Sequence, residues 1–240
     1  MLTVAILAGG QATRLRPITE TIPKSLLELN GEPFVIHQLR LLRSKGIRRA
    51  VLCVGHFGEL IQRMLGDGSR FGVQVDYSFD GPVLLGTAGA IKNALPMLEE
   101  SFFVMYGDSY LPCDYTAIAR EFEPLAMATG ALAMMTVFRN EGQWDTSNVE
   151  FEAGKLLTYS KTNRTPCMKY IDYGLGVFRA KAFDTVPSGK PVDLADLYTD
   201  LLAHKQLAAF EVHERFYEIG SPAGLQETEK FLAAQTAKRL

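Results

Sequence analysis

The chain of 240 residues carries 25 lysines and arginines against 27 aspartates and glutamates, and 47% of it is hydrophobic. That length holds one large domain with a substantial core. A net charge of −2 argues against a nucleic-acid binder, which carries a basic excess, yet it leaves room for phosphate ligands, which need only a few local cations.

In chain order, residues 4–7 read as a strand ending in Ala8-Gly9-Gly10. Pro33 opens a helix whose apolar face is Phe34, Ile36, Leu39, Leu41 and Leu42, and Gly46 stops it. A β-branched run at 50–54 predicts a second strand, 59–65 a short helix and 73–78 a third strand. A helix over 87–98 and a fourth strand over 102–106 follow. Strand and helix alternating at this spacing imply right-handed crossovers and a three-layer α/β/α sandwich around a mostly parallel, Rossmann-like mixed sheet. Beyond it, 131–138, 148–151 and 156–160 read as strands, with a hairpin turn at 152–155. The last elements expected are a strand over 171–178, a helix over 193–202 capped by Asp193, a strand over 208–212 and a helix over 222–234 capped by Ser221. No repeat or linker interrupts the chain, so one domain spanning 1–240 is expected.

Cys53, Cys113 and Cys167 are odd in number and lack CxxC spacing, so neither a disulfide framework nor a zinc site is expected. His37, His56, His204 and His213 share no ligand spacing. The opening apolar run is too short to span a bilayer and has no basic leader, and no later stretch reaches about eighteen apolar residues. A cytoplasmic protein without membrane contact is the expectation, and homo-oligomerisation is left open.

In an open parallel sheet, ligands sit beyond the carboxyl ends of the strands. After the first strand, Gly9 and Gly10 let backbone amides approach anionic oxygens, and Arg14 and Arg16 add charge suited to phosphate. The loop is neither GxGxxG nor the Walker pattern, which speaks against a nicotinamide dehydrogenase and a P-loop enzyme. Downstream, Pro23 fixes an extended turn that carries Lys24.

The combination Gly9-Gly10-x-x-Thr13-Arg14-Leu15-Arg16-Pro17, followed by Pro23-Lys24-Ser25-Leu26, resembles the signature of the sugar-phosphate nucleotidyltransferases. The resemblance implies that Leu7, Ala8, Gly9, Gly10, Thr13 and Arg14 hold a nucleoside triphosphate, and that Arg14 and Lys24 are catalytic. Leu85-Gly86-Thr87-Ala88-Gly89 is similar to the family segment bordering base and ribose, which adds Gly86, Thr87, Ala88 and Gly89 to the nucleotide contacts. Gly107-Asp108 resembles the Gly-Asp whose carboxylate binds Mg²⁺. A second metal carboxylate is implied at Glu218, in Phe216-Tyr217-Glu218-Ile219-Gly220-Ser221-Pro222, where relatives carry aspartate. Ala12 is another departure, at a position where many relatives have glycine; a small residue there still permits a tight loop.

The resemblance divides the chain at about residue 110, with 1–110 binding nucleotide and 111–240 binding a sugar 1-phosphate. In the second part Lys161 is retained for the sugar phosphate, while Ser160 replaces the usual glutamate. Asp172-Tyr173-Gly174 stands where relatives have Asn-Ala-Gly, and Asn148 lies in an unusual polar stretch after Trp144. Asn148, Lys161, Asp172, Tyr173 and Gly174 are therefore the expected acceptor contacts. Relatives of this length transfer guanylyl to heptose 1-phosphate or uridylyl to N-acetylmuramate 1-phosphate, and the 67–89 region leans to the former. Competing readings are a cytidylyltransferase of a non-sugar phosphate or phosphonate, and a silent regulatory subunit that binds nucleotide sugars.

Overall fold

A computed structural model describes residues 2–10 and 12–237. In chain order the first half comprises β1 (Val4–Leu7), β2 (Glu28–Leu29), β3 (Glu32–Pro33), α1 (Phe34–Ser44), β4 (Arg49–Val54), α2 (Gly58–Leu65), β5 (Gln74–Phe79), α3 (Gly86–Ala94) and β6 (Ser101–Tyr106). The second half adds β7 (Ser109–Tyr110), α4 (Tyr115–Thr129), β8 (Ala133–Arg139), β9 (Val149–Glu152), β10 (Lys155–Tyr159), β11 (Tyr170–Arg179), α5 (Leu194–Ala203), β12 (Leu207–Val212), β13 (Tyr217–Glu218) and α6 (Pro222–Ala237).

Val4, Ala5 and Ile6 are fully buried, as befits a strand covered on both faces. β1 pairs in parallel with β4 on one side and β6 on the other, and β4 pairs in parallel with β5. The chain therefore moves outward from β1 to β5, then returns through α3 to the opposite side of β1. That reversal creates a switch point at the carboxyl ends of β1, β4 and β6. β11 joins β6 antiparallel, and β8, β9, β10 and β12 extend the sheet, so nine strands of the described residues share it. One face carries Leu39, Ile61, Ile118 and Phe122 from α1, α2 and α4. The other carries Ala88, Ile91, Leu197 and Tyr198 from α3 and α5. This is the expected α/β/α sandwich on a mixed sheet.

Two local departures have clear causes. The helix expected over 87–98 ends at Ala94, and a 3-10 turn over Leu95–Met97 takes over, because Pro96 has no N–H to give the preceding turn. The helix α4 has no counterpart among the expected elements, since Pro124 inside it argues against one. Asp114 offsets part of that cost by accepting from Thr116 N and Ala117 N, and Pro124 and Arg120 are exposed, which leaves the freed carbonyl to solvent. The hairpin turn and both caps are as expected: Ala153 and Gly154 have φ of 48° and 79°, Asp193 accepts from Ala195 N, and Ser221 Oγ accepts from Gly224 N. Among the described residues the cysteines are unpaired, and no helix is long and apolar enough to cross a membrane.

Candidate active site

A cleft of about 280 Å³ opens at the switch point, lined by Leu7, Ala8, Gly9 and Gly10 after β1, Gly86 and Thr87 of α3, and Lys24, Gly107 and Asp108. Backbone proximity fixes its floor. Gly107 N donates to Leu7 O at 2.9 Å, and a Cβ on Gly107 would lie 2.6 Å from that oxygen. Ala8 N donates to Cys53 O at 2.8 Å, which anchors the glycine loop to β4. A Cβ on Gly10 would meet nothing within 4 Å, so its backbone is open to a ligand. Ala12 adopts φ of 48°, a left-handed conformation that glycine takes more readily than alanine. Its carbonyl accepts from Thr19 Oγ1 at 2.8 Å.

Lys24 Nζ donates to Asp108 Oδ2 at 2.6 Å, with both side chains mostly covered. This pair, 84 residues apart in sequence, ties the Pro-Lys turn to the end of β6. Asp108 and Glu218 meet through a small second sheet: β13 pairs antiparallel with β7, setting Glu218 opposite Ser109, and Ile219 N donates to Asp108 O at 2.9 Å. Gly220 is the point of convergence. A Cβ there would lie 2.7 Å from Glu218 Oε2, 3.0 Å from Arg14 Nη2 and 3.1 Å from Asp108 Oδ2.

The extra methylene of Glu218 is accommodated by α6. Its Oε2 accepts from Gly220 N and its Oε1 from Ser221 Oγ at 2.7 Å, placing the carboxylate at a helix N-terminus, where negative charge is favoured. A Cβ on Gly224 would lie 1.8 Å from Oε1, so Gly224 supplies the space. Two carboxylates and an arginine at one glycine suit Mg²⁺ shared with substrate phosphates, because Mg²⁺ takes one or two carboxylates and keeps other positions for substrate or water. No cluster of three or more His, Cys, Asp or Glu among the described residues offers an all-protein cage.

The other expected contacts divide. Thr13 and Arg14 are exposed beside the glycine loop. Thr87 Oγ1 accepts from Leu194 N at 2.6 Å and donates to Asp193 Oδ1, locking α3 to α5. Ala88 and Gly89 do not line the cleft. Ala88 is fully buried, and a Cβ on Gly89 would lie 2.7 Å from Lys190 O, so both serve helix packing. Lys161 Nζ pairs with Asp193 Oδ1 at 3.3 Å and lies 5.8 Å over the Tyr106 ring, bringing it to the cleft wall. Asn148 Oδ1 accepts from Asp172 N at 2.9 Å, and Gly174 N donates to Asp172 Oδ1 at 3.0 Å, so Asn148 and Gly174 hold Asp172. Desolvation pushes the Asp172 carboxyl up to about 6, with Gly174 N–H and Lys161 pulling the other way.

Tyr173 is a correction. Strand alternation turns its side chain to the opposite face from Asp172, where its ring packs at 6.3 Å from Phe138 and 6.0 Å from Phe216. It is a core group, 2% exposed.

Two acidic cleft residues, Asp80 and Asp193, lie outside the motifs. Asp80 follows β5, and its Oδ2 accepts from Leu85 N at 3.2 Å beside Gly9 and Gly55; burial raises its carboxyl pKa. The rule that ligands gather at strand carboxyl ends applies to the third parallel strand as much as to the first and fourth, and would have found it. Asp193 was legible only as a helix cap, yet it lines the cleft and holds Lys161.

A UTP–glucose-1-phosphate uridylyltransferase of Synechocystis is 32% identical over 82% of this chain and 54% of its own length. The N-acetylmuramate alpha-1-phosphate uridylyltransferase of Neisseria meningitidis is 29% identical over 95% of this chain and 97% of its own length. The chain thus spans about half of one relative and nearly all of the other. The solved structure of HddC from Yersinia pseudotuberculosis complexed with GMP-PN shares the fold with a TM-score of 0.78 and 23% identity, covering 97% of this chain and all of that one. The nucleotidyl transferase profile matches residues 3–235. The chain belongs to the nucleotidyl transferase family.

Proposed function

We propose that the protein joins a sugar 1-phosphate to a nucleoside triphosphate, releasing pyrophosphate and a nucleotide sugar. The observation that carries this reading is the convergence of the Gly9-Gly10 loop, Lys24 and Asp108 in one cleft, with Arg14 and Glu218 meeting Asp108 at Gly220. Residues 1–110 would hold the nucleotide and 111–240 most of the acceptor.

An oxygen of the sugar phosphate attacks the α-phosphorus as the bond to the β-phosphate breaks, and pyrophosphate carries the electron pair away. A phosphate monoester is largely dianionic near neutral pH, with a second pKa of about 6, so no general base is required. Lys24 and Arg14 stabilise charge on the phosphates, and the glycine-loop amides orient them. Asp108 and Glu218 would hold Mg²⁺, which supplies charge neutralisation across the triphosphate. The Lys24–Asp108 pair sets the lysine beside a carboxylate that would hold Mg²⁺. Arg14, Lys24 and Asp108 together exceed what a silent regulatory binder needs.

Asp80 favours guanine as the base. Its carboxylate sits in the cleft beside Gly9, and adjacent N–H donors of guanine match a two-oxygen acceptor. The test is pyrophosphate release with Mg²⁺, crossing each common nucleoside triphosphate with a panel of sugar 1-phosphates. Release with GTP ahead of UTP, and loss of that order in Asp80→Asn, is expected. Folded protein that binds nucleotide but stays silent across the panel would overturn the activity, and UTP in the lead would overturn the guanine assignment.

A further inference from the structure

Away from the cleft, a ladder of stacked side chains runs from the loop between β8 and β9 to α6. Asn140, fully buried, knots that loop. Its Nδ2 donates to Asp145 O at 2.6 Å and Ser147 Oγ at 3.1 Å, and its Oδ1 accepts from Trp144 N at 3.2 Å. The knot presents Trp144, the chain's one tryptophan, at the surface. The guanidinium carbon of Arg215 lies 3.3 Å from the centroid of that indole and 4.7 Å from the centroid of the Tyr217 ring. Such contacts are strongest where water is excluded, and the Arg215 side chain is only 26% exposed.

The ladder ends beside Glu218. Arg215 Nη2 donates to Glu227 Oε2 on α6. Thr228, the next residue of α6, is fully buried and donates from Oγ1 to Glu218 O at 2.8 Å. Phe231, on the following turn, stacks on Tyr217 at 3.9 Å. Helix α6 thus grips β13 and its approach at 215, 217 and 218, while its N-terminus holds the Glu218 carboxylate through Gly220 N and Ser221 Oγ. Where that carboxylate sits depends on how β13 rests on α6. Arg215 Nε is buried with no acceptor, so the rings and Glu227 fix the side chain although one donor goes unsatisfied. Native proteins keep few such groups without a use.

We infer that Arg215 is a positioning residue for Glu218, and that Trp144, on the loop leading into Asn148, holds Arg215 in place. The inference rests on the proposed Mg²⁺ role of Asp108 and Glu218, and names the residues that fix one of the two. Neither Arg215 nor Trp144 needs to touch a ligand. Mg²⁺ demands near-ideal octahedral geometry, so a small displacement of a carboxylate weakens its binding. Residues that orient metal ligands from behind typically change metal affinity by about 10- to 100-fold.

The test measures the affinity of a non-hydrolysable analogue of the best-bound nucleoside triphosphate, with and without Mg²⁺, alongside melting temperature. In the wild type Mg²⁺ should tighten binding by about 10-fold or more. Arg215→Ala should cut that enhancement by about 10-fold and Trp144→Ala by about 3- to 10-fold, with Mg²⁺-free affinity unchanged. Trp144→Phe keeps a ring over the guanidinium and should stay within about 2-fold of wild type. Combining Trp144→Ala with Arg215→Ala should cost no more than Arg215→Ala alone, because the two act as one unit. Additive losses, no rescue by phenylalanine, or a lower melting temperature with the Mg²⁺ enhancement intact would overturn the inference. A wild type without any Mg²⁺ enhancement, indistinguishable from Asp108→Asn, would instead remove the proposed metal site beneath it.

Discussion

The two ends of the cleft, for which nucleotide and acceptor are the proposed occupants, are built by different means. At the nucleotide end, backbone defines the site: Gly107 lies against Leu7 O, Gly9 against Gly55, and Gly86 takes φ of 69° with Val192 O only 2.6 Å from where its Cβ would be. At the acceptor end side chains define it, through Asn148 holding Asp172, Asp193 holding Lys161, and tyrosines around them. Backbone close approach leaves a strict mark in sequence, because only glycine fits. Side-chain networks can be rebuilt with other residues, as Glu218 with Gly224 illustrates at the boundary between the two ends. Under the proposed function, a shared triphosphate would demand the first kind of construction, whereas varied acceptors would permit the second.

The largest effect that would break this comparison lies at the ion pair between the ends. Lys24→Ala should lower turnover by about 10²- to 10³-fold, the cost of removing one fixed donor to developing charge. Single-turnover nucleotide transfer measures it; near-normal turnover would place the chemistry elsewhere.

The glycines sharpen the contrast next. Gly107→Ala should destabilise by about 1–3 kcal/mol in urea unfolding, since the methyl group would meet a carbonyl oxygen that cannot move without shifting β1. Gly10→Ala has no neighbour within 4 Å and should unfold at nearly the same urea concentration. Any loss it shows in nucleotide affinity then reports on the ligand.

Asp172 gives a smaller, pH-dependent effect. Its carboxyl titrates at about 6 in the folded protein, against the ordinary 3.8. The native state therefore holds this proton more tightly than the unfolded chain between those values, and stability falls as pH rises through them. Asp172→Asn has no charge to bury and still accepts from Gly174 N. Its stability relative to wild type should improve above pH of about 6 and converge with it below about 4 in melting curves. A pH-independent difference would show that Asp172 is better solvated than its surroundings indicate. Smallest of all, Ala12→Gly should change stability by about 1 kcal/mol or less, because relief of the left-handed strain is offset by glycine's greater unfolded-state entropy.

Much of the parallel half could be read from residue order. Short β-branched runs separated by amphipathic segments specify buried parallel strands, and the glycine-arginine-lysine spacing marks the loop proposed to meet phosphate. Helix α4 was hidden because Pro124 violates a local rule that its solvent position makes tolerable. Tyr173 was misassigned because a motif names neighbouring residues, while strand alternation sends them to opposite faces. Asp80 and Asp193 belong to no motif and enter the cleft only through the packing of β5 and α5.

The sequence by itself determined the fold class, which depends on hydrophobic periodicity, and the family, whose glycine, arginine and lysine motif it resembles. Only the tertiary structure decided which carboxylates share the cleft. The pairs Lys24–Asp108 and Lys161–Asp193 and the convergence at Gly220 join residues that are neighbours in space and remote in the chain. Whether a polar side chain is a ligand contact, a clamp or a core group depends on the face it occupies and the partners it meets, and those are set when the sheet closes.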